Sequence, residues 1–178
     1  MRRGRARPGP AARPSVIEAG RAPGDDILTE AGTALPEVPA GRTLLVACGA
    51  LAREVLAILR ANRMEGMDLA CLPALLHNRP ERIAEAVRAR IREGRSKGYE
   101  RVVVLYADCG TGGGLDRVCA EEGVERIPGP HCYSFFEGND TFAARGEAEI
   151  GAFYLTDFLA RQFDALVWRG MGLDRHPE

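Results

Sequence analysis

From Thr43 onward the chain alternates short, almost wholly apolar runs with stretches whose apolar residues recur at helical spacing. TLLVAC is a continuous apolar run of strand length that Cys48-Gly49 interrupts. Behind it, Leu51, Val55, Leu56, Ile58 and Leu59 form one broad apolar face while Arg53, Glu54 and Arg60 point to water, which predicts a helix. MDLACL reads as a second strand, ended by Pro73 in the loop LLHNRP. Pro80 then opens a helix over Glu81 to Arg95, with Ile83, Ala84, Val87 and Ile91 on its apolar side and Gly98 as its stop. VVVLYA is the third strand, LDRVCAEEG a short helix ending at Gly123, and VERI a fourth strand. Further on, Asp140 is placed to cap a helical turn containing Phe142, and AFYL reads as a fifth strand. Thr156-Asp157 caps a last helix whose stripe is Phe158, Leu159, Phe163, Leu166 and Val167.

This alternation predicts an α/β fold: a mainly parallel sheet of about five strands flanked by helices in βαβ units. Strands that are apolar throughout agree, because helices then cover both faces. Ligands of such sheets bind beyond the carboxyl ends of the strands, near a topological switch point. Residues 1–41 mix Arg, Pro, Gly and Ala without periodicity, and Ile27 with Leu28 is too small a cluster to seed a core, so they read as a disordered basic tail. Residues 42–178 read as a single α/β domain.

Charge changes this picture little. The 24 basic and 25 acidic residues nearly cancel, which gives no general electrostatic case for nucleic acid or a membrane surface. Arg2, Arg3, Arg5, Arg7, Arg13 and Arg21 make the tail basic and leave the body acidic. There is no secretory h-region and no run of apolar residues long enough to span a bilayer, so the expectation is a soluble cytoplasmic protein. In that compartment the five cysteines are expected as thiols, metal ligands or core packing rather than disulfides.

Three of those cysteines sit at strand exits. Cys48 ends the first strand, Cys109 follows the third and Cys132 follows the fourth, so a parallel sheet would open all three thiols onto one edge. Three thiolates from separate loops could hold a [4Fe-4S] cluster with one iron left open, or with His131 complete a tetrahedral zinc site. Buried thiols that merely pack, and a reactive thiol, are the alternatives. Because His131 and Cys132 are successive, extended backbone would turn only one of them to the site. Cys71 and Cys119 lie within apolar elements and read as packing.

Beside Cys109, the loop Gly110, Thr111, Gly112, Gly113 and Gly114 runs into a helix N-terminus, where free amides and the helix dipole favour a small anionic molecule. It lacks the Lys-Ser/Thr of a nucleoside triphosphate loop. Asp108 could stand behind a metal ligand, serve catalysis or cap the loop, and His77, leaving the second strand, could be a general base or a ligand. His176, near the end of the chain, is assigned no role. The spelling Asp108-x-Gly110-x-Gly112-x-Gly114 also looks like the first motif of S-adenosylmethionine-dependent methyltransferases, although Ile127-Pro128 stands where that fold wants a ribose-binding acid.

The words VACGALARE, LPALLHNRPERI, DCGTGGGLD, PGPHCYSFF and FYLTDFLARQFD, in this order, resemble the uncharacterised prokaryotic family called domain of unknown function 1638 from about Leu44 to the end. The family's words include Cys48, His77, Cys109, His131 and Cys132. The resemblance implies a link to corrinoid-dependent methyl-transfer systems and one-carbon metabolism. It also implies a further strand and helix beyond DRHPE, so this chain is expected to be truncated at its C-terminus. The leading expectation is a metal- or iron-sulfur-binding protein with a three-cysteine site, with its status as an enzyme open. The alternatives are a non-catalytic small-molecule-binding or accessory protein and an S-adenosylmethionine-dependent methyltransferase.

Overall fold

The computed structural model of the protein describes residues 17, 20–36, 42–149 and 151–175. The expectations for the remaining tail residues and for His176 lie outside them. The elements, in chain order, are α1 (Asp25–Glu30), β1 (Thr43–Cys48), α2 (Ala52–Ala61), β2 (Met67–Leu72), α3 (Ile83–Ser96), β3 (Arg101–Leu105), α4 (Gly114–Glu121), β4 (Glu125–Arg126), α5 (Ser134–Glu137), α6 (Asn139–Ala148) and α7 (Asp157–Arg161). A π-helical turn, Asp164–Trp168, continues the line of α7.

All pairing is parallel, in the order β2-β1-β3-β4. Because β1 lies between β2 and β3, the chain leaves it first to one side and then to the other, and the crevice of that reversal opens past Cys48. The register is unshifted: Thr43 faces both Met67 and Arg101, and Cys48 faces Leu72. The loops leaving the strands therefore gather on one edge.

Successive side chains take opposite faces of a strand. Leu44, Val46, Val102 and Val104 are buried on the face that carries α3, where Gly94 lets the helix approach Leu44. On the other face, under α2, Val103 and Leu105 are only half-buried, and a groove of about 1010 Å³ runs between Leu45, Val103, Leu105, Ile58 and Phe135. Glu122 accepts from Arg92 and Arg95 and ties α3 to the end of α4.

Two expectations are corrected here. Among the described residues the sheet has four strands, not five. AFYL forms no strand: it is irregular backbone in which Phe153 and Leu155 are 57% and 49% exposed, with no face buried against the sheet. The boundary at residue 42 also falls too late. Leu28 and Leu35 are buried in the core, and Asp25 accepts hydrogen bonds from Arg53 of α2 and Arg161 of α7. Thr33 takes part in the sheet margin, donating its amide to the Cys71 carbonyl at 2.7 Å and accepting the Cys71 amide on its hydroxyl at 2.7 Å. That covers the open edge of β2. Gly49 is required at the end of β1 because a Cβ there would collide with the Leu28 carbonyl.

Candidate functional site

The edge onto which the strands open carries a cavity of about 40 Å³, lined among others by Cys48, His77, Tyr106, Cys109, His131 and Cys132. This is space for one or two waters or a single ion. All three strand-exit thiols expected there line it, as do His77 and His131, but among the described residues no three His, Cys, Asp or Glu side chains stand close enough together to hold a metal ion as they lie. All five cysteines are free thiols, and Cys71 and Cys119 are buried in the core as expected.

Pairing of β3 with β4 explains how two of the thiols meet. It continues past the strands, because the Asp108 amide donates to the Gly129 carbonyl at 2.9 Å and the Cys109 amide to the Pro130 carbonyl at 3.0 Å. The two exit loops run side by side, and Cys109 Sγ lies 3.0 Å from Cys132 Sγ. Cys109 is turned inward by a left-handed backbone, φ 48°, which a non-glycine residue adopts at a cost. His131 and Cys132 both face the cavity, contrary to the expectation for extended backbone, because residues 130–133 form a turn.

The glycine loop has an occupant of its own. Asp108 accepts from the Thr111 hydroxyl at 2.6 Å, the Gly113 amide at 2.9 Å and the Gly112 amide at 3.2 Å. The Thr111 and Gly114 amides donate to the Asp108 and Thr111 carbonyls, and Leu115 N–H lies 3.3 Å from Thr111 Oγ1. A small anion at Gly112 and Gly113 would therefore have to displace a carboxylate. Burial works to raise the Asp108 carboxyl, but the hydrogen bonds from Thr111, Gly113 and Gly112, with Arg126 nearby, outweigh it and hold the group below its usual range. Asp108 organises the turn that presents Cys109 rather than reaching the cavity itself, which its lining leaves out.

The thiols differ in acidity. Burial pushes Cys48 up to about 11, partly offset by the Ala50 amide. Cys109 and Cys132 share a sulfur–sulfur hydrogen bond in which either can donate; that contact draws the Cys109 thiol below its ordinary value and, with burial, raises Cys132. Burial lowers both His77 and His131, the latter to about 4, so both rings are neutral at pH 7. The Tyr133 amide lies 3.3 Å from His131 Nδ1. A neutral ring accepting that bond carries its proton on Nε2, where it is a donor and not a metal ligand.

Sequence reasoning missed the aromatic side of the site. Tyr106 is fully buried, its hydroxyl lies toward Cys48, and that oxygen has no hydrogen-bond partner among the described residues. His131 stacks on Tyr133 with ring centres 4.3 Å apart, and Tyr133 stacks on Tyr154 at 5.3 Å. The ring of His77 meets His131 edge-on at 5.3 Å. Tyr106 had a signal, since a polar-tipped ring just past a buried apolar strand must turn its hydroxyl to something.

The family model described as "Protein of unknown function (DUF1638)" matches residues 71–178, and the chain belongs to that family. The matched segment includes His77, Cys109, His131 and Cys132 and begins after Cys48. No curated protein and no solved structure matches the chain. Among the described residues no helix is long and apolar enough to cross a membrane.

Proposed function

We propose that this DUF1638 protein holds a single soft metal ion, zinc or iron, on Cys48, Cys109 and Cys132, and uses the site on a small molecule in one-carbon or methyl-transfer chemistry. The observation that carries the reading is that three thiols from three strand exits line one cavity, together with a buried tyrosine hydroxyl that has no hydrogen-bond partner among the described residues. The donor set suits a thiophilic ion. Zinc–sulfur bonds of about 2.3 Å in a tetrahedron set two sulfurs about 3.8 Å apart. The Cys109–Cys132 pair, at 3.0 Å, needs to open by less than ~1 Å to reach that spacing. A four-iron cluster asks each thiolate to bind a different iron, which a cavity of about 40 Å³ and two adjoining sulfurs suit less well.

A bound ion would supply a Lewis acid and an open ligand position. The remaining work falls to the chain. Tyr106 has a hydroxyl free to donate to a small ligand, and neutral His77 can take up a proton at the cavity wall. The stacked rings of His131 and Tyr133 form one wall of the cavity. His131 joins the ligand set only by giving up the Tyr133 amide. Five free thiols suit a reducing compartment, the cytoplasm.

Metal content of the full-length protein after anaerobic purification tests the reading, together with Co(II) titration followed by thiolate-to-metal absorption. About one equivalent of zinc or iron is expected, lost in Cys48→Ala and Cys109→Ala and kept in Cys119→Ala. A wild-type protein well short of half an equivalent, or a Cys109→Ala protein that keeps its metal, overturns it.

A further inference from the structure

The same cavity carries a chemistry that needs no metal. From the placement of Cys109 Sγ 3.0 Å from Cys132 Sγ at the cavity wall, we propose that the two are a reversible dithiol–disulfide couple whose oxidant is a small hydroperoxide. The distance lies above the roughly 2.05 Å of a sulfur–sulfur bond by only about 1 Å. Closing it asks little of the backbone. The Asp108–Gly129 and Cys109–Pro130 hydrogen bonds already hold the two loops in register on either side of the pair.

Selectivity follows from burial. Cys71 and Cys119 are enclosed in the core, at 0% and 5% exposure, and line no part of the cavity. A space of about 40 Å³ admits a molecule the size of hydrogen peroxide and shuts out a peptide disulfide. One sulfur of the pair, as thiolate, attacks a peroxide oxygen; the oxygen–oxygen bond breaks, and hydroxide leaves and takes up a proton, leaving a sulfenic acid. The other sulfur attacks that sulfenic sulfur; the sulfur–sulfur bond forms, the sulfur–oxygen bond breaks, and a second water departs. Two thiols and one peroxide give one disulfide and two waters, with two electrons passing from the pair to the peroxide. A small dithiol reverses the change by exchange.

The couple goes beyond the metal reading and does not depend on it, so the experiment uses metal-free full-length protein, folded and reduced. One equivalent of hydrogen peroxide should remove two of the five thiols, and dithiothreitol should restore both. Peptide mapping should place the disulfide between Cys109 and Cys132. In Cys109→Ser and Cys132→Ser no intramolecular disulfide should form, and at least one of the two should yield a sulfenic acid trapped by dimedone. A disulfide mapped to any other pair overturns the proposal. So does a folded wild-type protein that keeps all its thiols under peroxide that oxidises the urea-unfolded chain.

Discussion

Replacing Asp108 by alanine separates the role this carboxylate plays in the structure from the anion-binding role first expected of its loop. The change removes the acceptor for Thr111, Gly113 and Gly112. Hydrogen bonds to a charged group contribute about 1.5–3 kcal/mol each when buried. Asp108 is half-exposed and its third bond is long, so water can take over part of the work. Counting two bonds at about 1 kcal/mol after that discount gives a loss of about 2 kcal/mol. Asp108→Asn keeps one carbonyl acceptor and should lose about half as much. Urea unfolding of reduced, metal-free protein measures both. The pH dependence has a definite sign: the folded carboxyl lies below its ordinary value, so its contribution is present above about pH 4 and disappears as pH falls through the folded-state value. The wild-type advantage over Asp108→Asn should therefore shrink in acid. An Asp108→Ala protein as stable as wild type, or a gap that stays constant from pH 7 to about pH 3, refutes the assignment. Loosening the turn should also slow disulfide formation between Cys109 and Cys132.

Leu28 is fully buried although it lies in the segment read as tail, so Leu28→Ala should cost about 3 kcal/mol in urea unfolding; a change within about 0.5 kcal/mol would show that α1 does not belong to the core. Burial, with the neighbouring His77, pushes His131 down to about 4, so nitrogen chemical shifts of the metal-free protein should show a neutral ring throughout the range from pH 8 to about 6. The linked stability is present above about pH 6.5 and lost as pH falls toward 4, because the unfolded chain binds the proton first; a ring that titrates above pH 6 contradicts the burial argument.

Much of the sheet was legible because its strands are short, apolar on both faces and cut by strong breakers. TLLVAC and MDLACL match β1 and β2 residue for residue, ended by Gly49 and Pro73. The same reasoning failed at AFYL, where a short apolar run serves a different purpose: Tyr154 turns to stack on Tyr133 while Phe153 and Leu155 are exposed. α1 escaped because a helix of 6 residues has too few turns to show periodicity. Its partners also lie far along the chain, with Arg161 and Gln162 both 136 residues from the acids they bind. The thiols could be placed by the rule that parallel strands open on one edge. The occupation of the glycine loop by Asp108 could not, since nothing in the spelling distinguishes a loop that awaits an anion from one that encloses its own.

The three thiols are held with unequal firmness, and this governs how the two proposed chemistries relate. Cys48 ends a central strand that is paired on both sides, so its backbone is fixed by the sheet. Cys109 and Cys132 lie on exit loops, so their separation changes by side-chain rotation alone while the flanking hydrogen bonds persist. Opening the pair slightly produces the spacing a tetrahedral ion requires, and closing it produces a disulfide. The two outcomes compete for the same sulfurs. A disulfide would leave Cys48 as the sole thiolate donor, too few to retain an ion. By linkage, a bound metal would protect the pair from peroxide to the extent that the reduced form binds it more tightly than the oxidised form. Rates of peroxide oxidation with and without one equivalent of zinc measure that coupling directly, and equal rates would mean that the ion does not sit on Cys109 and Cys132.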